Sequence, residues 1–234
     1  QIAALTLVAW PLRSAPTAAH GAALGVAFGL GWFASGLWWL FISMHRYGGL
    51  PSVVAALAVA LLALALSLYT AAAFAAFVRW RPSRPAAQGL LFAAVWLLAE
   101  LARASWFSGF PWLASGYAHT SGPLAPWAPW VGVYGLSALS AALAFGLILA
   151  LPSGAGARPL PLLLVVALVA AGAWALPKAF TTSTGALTVS LLQPNVAQDL
   201  KFEPARMAAN FDRLARDVEA AHGQLVVTPE SVVP

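Results

Sequence analysis

The sequence contains no cysteine. Disulfides, thiolate metal sites and a cysteine nucleophile are therefore excluded within these 234 residues. Charge is nearly as scarce. Only 8% of the residues are Asp, Glu, Lys or Arg, against about 25% in an average soluble domain. That is too little to cover a water-soluble globule of this length. Apolar residues take the place of charge, at 61% of the chain. The charges are also unevenly spread. Residues 1–178 carry eight Lys/Arg and one acid, Glu100, for a net +7, whereas residues 179–234 carry four Lys/Arg and six Asp/Glu, for a net −2. The positive charges sit one to three at a time between apolar runs. No basic stripe results, so no nucleic acid is expected as a partner.

Charge is missing altogether from Ser14 to His45, Tyr47 to Val78, Pro85 to Ala99, Ala104 to Ala157 and Pro159 to Pro177. A membrane-spanning helix needs about 20 apolar residues. These runs predict helices over 20–44, 52–78, 87–105, 126–151 and 160–176, with 1–12 as the tail of another span. Turn-like Gly48-Gly49-Leu50-Pro51, Arg81-Pro82-Ser83-Arg84-Pro85 and Pro152-Ser153-Gly154 separate them. One such run could be a buried core helix, but five in one chain predict a polytopic membrane bundle. The chain opens with Gln1 inside an apolar stretch and closes at Pro234 after a strand-like run. It is expected to be a fragment of a longer protein, and no secretory signal pattern is read in it.

Loops on one side hold Arg13, then Arg79, Arg81 and Arg84, then Arg158. Those on the other hold Arg46, a 106–125 stretch without Lys or Arg, and Lys178. The richer set is expected to face the cytoplasm. The segment after residue 178 then lies on the far side, the periplasm of a Gram-negative cell.

The 106–125 stretch is dense in aromatics: Trp106, Phe107, Phe110, Trp112 and Tyr117, followed by Trp127 and Trp130. It fits either an aromatic belt at the membrane interface or a re-entrant, lipid-contacting loop, and composition alone favours the belt. Glu100 and Arg103 lie about one helical turn apart at the far-side end of their helix. They read either as a snorkelling pair or as intramembrane ionisable groups with a function.

The pattern changes after Lys178. Residues 179–185 form a polar linker. Leu187 to Leu191 alternate as a strand does, and Pro204 opens a helix at its favoured first position. Met207, Phe211, Leu214 and Val218 fall on one face of that helix. Leu225-Val226-Val227 predicts a second strand, followed by Thr228-Pro229-Glu230-Ser231. The result is a β-α-β unit that delivers a carboxylate at a strand's C-terminal end, where open α/β sheets place their ligand sites. Taken alone, Glu230 reads as a capping or solvated carboxylate.

Several short motifs resemble those of the bacterial apolipoprotein N-acyltransferases, and together they cover nearly the whole chain. They are Gly48-Gly49-Leu50-Pro51, Ser67-Leu68-Tyr69, Gly109-Phe110-Pro111-Trp112-Leu113 with Gly116-Tyr117, Gly122-Pro123-Leu124, Gln193-Pro194-Asn195 with Gln198, and Pro229-Glu230-Ser231. The Gly-Phe-Pro-Trp loop followed, after further apolar helices, by Pro-Glu-Ser is the specific combination. Two positions depart from the family: Thr228 stands where a Trp often precedes Pro-Glu, and Phe202 where a Trp often follows Leu-Lys.

The resemblance implies a polytopic α-helical membrane bundle (1–178) followed, after the linker, by the start (186–234) of a periplasmic nitrilase-like αββα sandwich. It implies transfer of an acyl chain from a phospholipid to the N-terminal amino group of a diacylglyceryl-modified apolipoprotein, through a thioester on a Glu-Lys-Cys triad. Glu230 matches the triad Glu. Lys178 and Lys201 precede it and do not match the triad Lys, which, like the Cys, comes later in the family. Arg103, Phe110, Trp112, Tyr117, Gln193 and Phe202 are the candidate lipid- and substrate-binding residues. No metal or cofactor is expected. A monomer in the inner membrane is expected, inactive in the form of these residues alone. Two other readings stand beside it: a membrane-tethered nitrilase-type amidase, which would share Glu230, and a non-enzymatic polytopic protein such as a transporter subunit.

Overall fold

The structure is a computed structural model and describes residues 1–151, 159–177, 181–197, 200 and 203–230. The chain divides into two compact units, Gln1–Lys178 and Ala179–Pro234.

The first unit is helical. It runs α1 (Ile2–Arg13), α2 (Ala18–Gly36), α3 (Trp38–Ile42), α4 (Ser52–Trp80), α5 (Pro85–Ser105), α6 (Ala128–Ala150) and α7 (Leu160–Ala175). Among the described residues, four stretches are long and apolar enough to cross a membrane: Ala18–Gly36, Ser52–Trp80, Pro85–Ser108 and Ala125–Ala150. The predicted 160–176 helix is observed as α7, but its 16 residues reach only about 24 Å at 1.5 Å per residue, short of a hydrocarbon core of about 30 Å.

Local signals set the helix ends. The Thr17 side chain accepts from the His20 amide at 3.3 Å and caps α2. Pro85 occupies the first turn of α5, where its missing N–H costs nothing. Arg81 Nη1 donates to the carbonyl oxygens of Arg13 (2.5 Å) and Ala15 (3.3 Å), supplying positive charge at the C-terminal end of α1.

The predicted 20–44 helix is not continuous. It ends at Gly36, Leu37 leaves helical geometry (φ −107°, ψ 7°), and α3 and a π-helical turn at Ser43–Tyr47 follow. Glycine is a poor helix former. The Gly36 Cα also lies so close to the Leu113 side chain that a Cβ would collide with it.

In lipid, helices associate through close packing and interhelical hydrogen bonds. Along α2, Gly21, Gly25 and Gly29 lie directly on α4. A Cβ on Gly25 would come within 2.5 Å of the Ala71 Cα, and one on Gly21 within 2.6 Å of the Phe74 carbonyl oxygen. Beside this seam Phe74, Phe77, Phe92 and Phe145 join α4, α5 and α6, with ring centroids 5.5–6.0 Å apart. α6 carries a kink at Gly132 (φ 65°, ψ −177°), a conformation open essentially to glycine alone.

In the second unit β1 (Val189–Leu191) and β2 (Leu225–Val227) pair in parallel, Val189 opposite Leu225 and Leu191 opposite Val227. α8 (Pro204–Glu219) lies between them in sequence and starts at Pro204. β1 is shorter than the predicted 187–191 strand. On the apolar face of α8 only Leu214 is buried, while Phe211 remains 52% exposed. Two three-residue strands offer too little sheet to cover a helix of four turns.

Candidate functional site

The aromatic stretch starts where α5 ends. A 3-10 turn at Trp106–Ser108 reverses the chain, and the Phe110 amide returns to the Arg103 carbonyl oxygen at 2.8 Å. Phe107, Ser108, Gly109 and Leu113 all have φ between 53° and 82°. Non-glycine residues held there cost on the order of 1–3 kcal/mol each and persist only where the surroundings hold them. At Gly109 a Cβ would strike the Ala104 carbonyl.

Five side chains from three helices supply the restraint. Arg103, on α5, donates through Nη1 to the carbonyl oxygens of Phe110 and Trp112, at 2.5 Å in each case. Its guanidinium also lies 5.4 Å from the Phe33 ring centroid. Glu100 Oε1 accepts from the Ser115 amide at 2.8 Å. Trp96 Nε1 donates to Ser115 Oγ at 3.0 Å, Trp32 Nε1 on α2 donates to the Leu113 carbonyl at 3.3 Å, and Ser137 Oγ on α6 accepts from the Gly116 amide at 2.8 Å. Glu100 and Arg103 are 5% and 3% exposed, so they do not snorkel. Both turn inward and bond to the backbone of the loop.

The pinned loop borders a groove of about 580 Å³ between α4 and the end of α5. Leu62, Leu66, Leu68 and Tyr69 form one wall; Trp106, Phe107 and Phe110 form the other, and Arg103 is also part of the lining. The volume falls within the roughly 300–1,000 Å³ of small-molecule sites. Phe107 stands out beside it at 92% exposure.

Arg103, Phe110 and Trp112 are thus brought together. The Phe110 and Trp112 rings lie 5.2 Å apart, and Trp39 meets Trp112 edge-on at 6.4 Å. Tyr117 lies further on, exposed, on the 3-10 segment Ser115–His119. In the second unit, Gln193 and Glu230 both follow the C-terminal ends of the paired strands, Gln193 two residues after β1 and Glu230 three after β2. The Leu192 amide donates to Val227 at 2.9 Å, which carries the pairing toward that edge. Glu230 is exposed and engaged in an interaction. Phe202 lies outside the described residues, as do Gln198, Lys178, Lys201 and Ser231.

Trp32, Trp96, Ser115 and Ser137 had no part in the sequence-based site, although each fixes the loop. A signal was present for Ser137, as for Ser67, Thr70 and Ser140. A hydroxyl inside an apolar span needs a partner there and is expected to face the bundle.

Residues 1–146 match the family model for the apolipoprotein N-acyltransferase N-terminal domain. Over 254 aligned residues the chain is 45% identical to an apolipoprotein N-acyltransferase of Verminephrobacter eiseniae, covering all of this chain and 46% of the relative. It is 45% identical to the apolipoprotein N-acyltransferase of Ralstonia nicotianae, covering all of this chain and 45% of that protein, and 40% identical to that of Azotobacter vinelandii, covering 98% and 46%. The chain therefore spans a little under half the length of the curated relatives it matches.

Proposed function

The chain belongs to the apolipoprotein N-acyltransferase family, and from that membership we propose that it forms the membrane part, and the first strands of the catalytic domain, of an enzyme that acylates lipoproteins. The donor is a membrane phospholipid. The acceptor is the N-terminal amino group of the diacylglyceryl-modified cysteine of an apolipoprotein. The groove beside the aromatic loop carries this reading: its lining is mainly apolar, includes the buried Arg103, and holds aromatic residues of the kind expected at a membrane interface. We assign it to an acyl chain, with Phe110 and Trp112 as its rim. Arg103 holds that rim from beneath, and Tyr117 in the first unit and Gln193 in the second are each assigned a substrate contact.

Residues 1–178 are the membrane bundle in this proposal, 179–185 the linker, and 186–234 the opening β-α-β unit of a nitrilase-like sandwich. The bacterial inner membrane holds the bundle, the arginine-rich loops face the cytoplasm and the sandwich faces the periplasm. Anchoring enzyme and lipid substrates in one bilayer supplies proximity.

Glu230 is the proposed general base. It takes the proton of a cysteine thiol contributed from outside these 234 residues. The thiolate attacks the phospholipid ester carbonyl, the ester C–O bond breaks, and the lysophospholipid leaves as an alcohol carrying the proton returned by Glu230. A lysine, also outside these residues, stabilises the oxyanion. The resulting thioester is then attacked by the acceptor amine. The C–S bond breaks, an amide forms, and the amine's proton passes through Glu230 back to the thiolate. Splitting the transfer this way replaces one difficult displacement by two easier ones. No cofactor takes part.

The complete protein in phospholipid vesicles, supplied with a diacylglyceryl-cysteine peptide, is expected to yield N-acylated peptide and lysophospholipid in equal amounts. Hydrolysis of a small amide with no phospholipid consumed would identify an amidase and overturn the proposal.

A further inference from the structure

Glu100 and Arg103 are the two charged side chains nine-tenths buried among the described residues of the helical unit. Burying a charge costs several kcal/mol unless it is well partnered, so their partners show what they are for. Among the described residues no ion pair joins them. Each bonds instead to backbone of the loop that walls the groove: Arg103 to Phe110 and Trp112, Glu100 to Ser115. Backbone contacts are indifferent to which side chains the loop presents but strict about where it lies. The loop also needs such restraint, because three of its non-glycine residues are at positive φ.

Glu100 is the more telling of the two. Its Oε1 holds Ser115, whose hydroxyl is held in turn by Trp96. Its Oε2 is buried and has no hydrogen-bond partner among the described residues. Glu100 also lines, with Thr70 and Arg103, a cavity of about 10 Å³, about the least room that holds one water.

We propose that Glu100 is a positioning residue for acyl-chain selection: acting with Arg103, it sets the height of the 106–116 loop over the groove and so fixes how long a chain the enzyme accepts. This rests on the assignment of the groove to an acyl chain. Glu100 touches neither substrate nor reacting atoms. Its loss should therefore alter the use of one donor relative to another, and should leave the chemistry on a donor too short to reach the loop unchanged.

The test uses the complete protein in vesicles, with long-chain and short-chain phospholipid donors compared by KM and kcat. Glu100→Ala removes the acceptor for the Ser115 amide and is expected to raise KM for the long-chain donor about tenfold, as the loss of a buried charged hydrogen bond does. The kcat for the short-chain donor should hold. Glu100→Gln keeps an acceptor oxygen and should restore most of the preference, whereas Glu100→Asp keeps the charge but withdraws it by one methylene and should not. If Glu100→Ala fails to insert, the Gln and Asp variants decide the matter by themselves. Equal behaviour of those two, or an equal loss with both donors, overturns the proposal. Trp106→Ala, a change in the groove wall itself, separates this failure from failure of the groove assignment. If it too leaves the long-to-short ratio untouched, the acyl-chain reading of the groove falls. If it alone shifts the ratio, only the positioning role of Glu100 falls.

Discussion

Thr70 Oγ1 on α4 donates to the carbonyl oxygen of Gly25 on α2 at 2.8 Å, where Gly25 also lies directly against the Ala71 backbone of α4. The bond and the close approach contribute unequally. Interhelical side-chain hydrogen bonds in membrane proteins average about 0.6 kcal/mol, while forcing added volume into a packed contact costs typically about 1–3 kcal/mol. At Gly25 the obstacle is α4 backbone, which cannot rotate aside. Gly25→Leu should therefore destabilise the bundle by about 1–3 kcal/mol or more, and Thr70→Val by under about 1 kcal/mol. Denaturant unfolding in detergent micelles measures both, and a larger loss from Thr70→Val would show that the bond, not the fit, holds α2 to α4.

The helices were legible in the sequence because lipid leaves the backbone few choices. A long charge-free stretch must satisfy its own amides and carbonyls, and a helix does so within one segment. The break at Leu37 was only partly legible: Gly36 is a poor helix former, but its close approach to Leu113, more than seventy positions away, leaves no mark in the local sequence. The direction of Glu100 and Arg103 was not legible either. One helical turn of spacing fits a snorkelling pair as well as an inward one, and carbonyl oxygens, which decide the matter here, leave no mark in a sequence. For Glu230, what could be read was the strand before it and the Pro-Glu-Ser motif. The two short strands among the described residues show no further group that could act with it.

On the proposed topology, Arg79–Arg84 face the cytoplasm and the 181–185 stretch of the linker faces the periplasm. Ser83 and Ser183 are both exposed, and the chain's lack of cysteine makes each a clean reporter position. If the complete protein carries cysteines elsewhere, they are first replaced by serine. In cells with a permeabilised outer membrane, an impermeant thiol reagent should label Ser183→Cys and spare Ser83→Cys. The reverse pattern would invert the topology.

Trp112 packs on Phe110, which lines the groove, and its ring is braced by Trp39. Trp112→Ala removes an aromatic contact of about 0.5–1.5 kcal/mol without touching the carbonyl that Arg103 holds. The expected result is a fall of roughly tenfold or less in kcat/KM for long-chain donors, a smaller fall for short-chain donors, and normal insertion. Equal losses with both would make the loop an interfacial belt without a part in donor selection.

Glu230 stands just past the C-terminal end of β2, at the edge where parallel sheets present their chemistry. A cysteine thiol of ordinary pKa, about 8.5, is mostly protonated at neutral pH, so a carboxylate placed to take its proton matters most in the first half-reaction. Positioned acid–base groups typically contribute about 10²–10⁴-fold. A carboxylate that only capped a turn would contribute through hydrogen bonds instead. Glu230→Gln separates the two roles, because it keeps the side chain's size and most of its hydrogen bonding while removing its capacity to accept a proton. The complete Glu230→Gln protein should insert and fold as the parent does, yet form the acyl-enzyme thioester at least about a hundredfold more slowly. Mass spectrometry of the intact protein after mixing with phospholipid measures that step without the acceptor. Thioester formation at the parental rate would leave Glu230 a structural carboxylate and move the base elsewhere. The 234 residues alone should transfer nothing with either Glu or Gln at this position, since they hold no thiol on which a thioester can form.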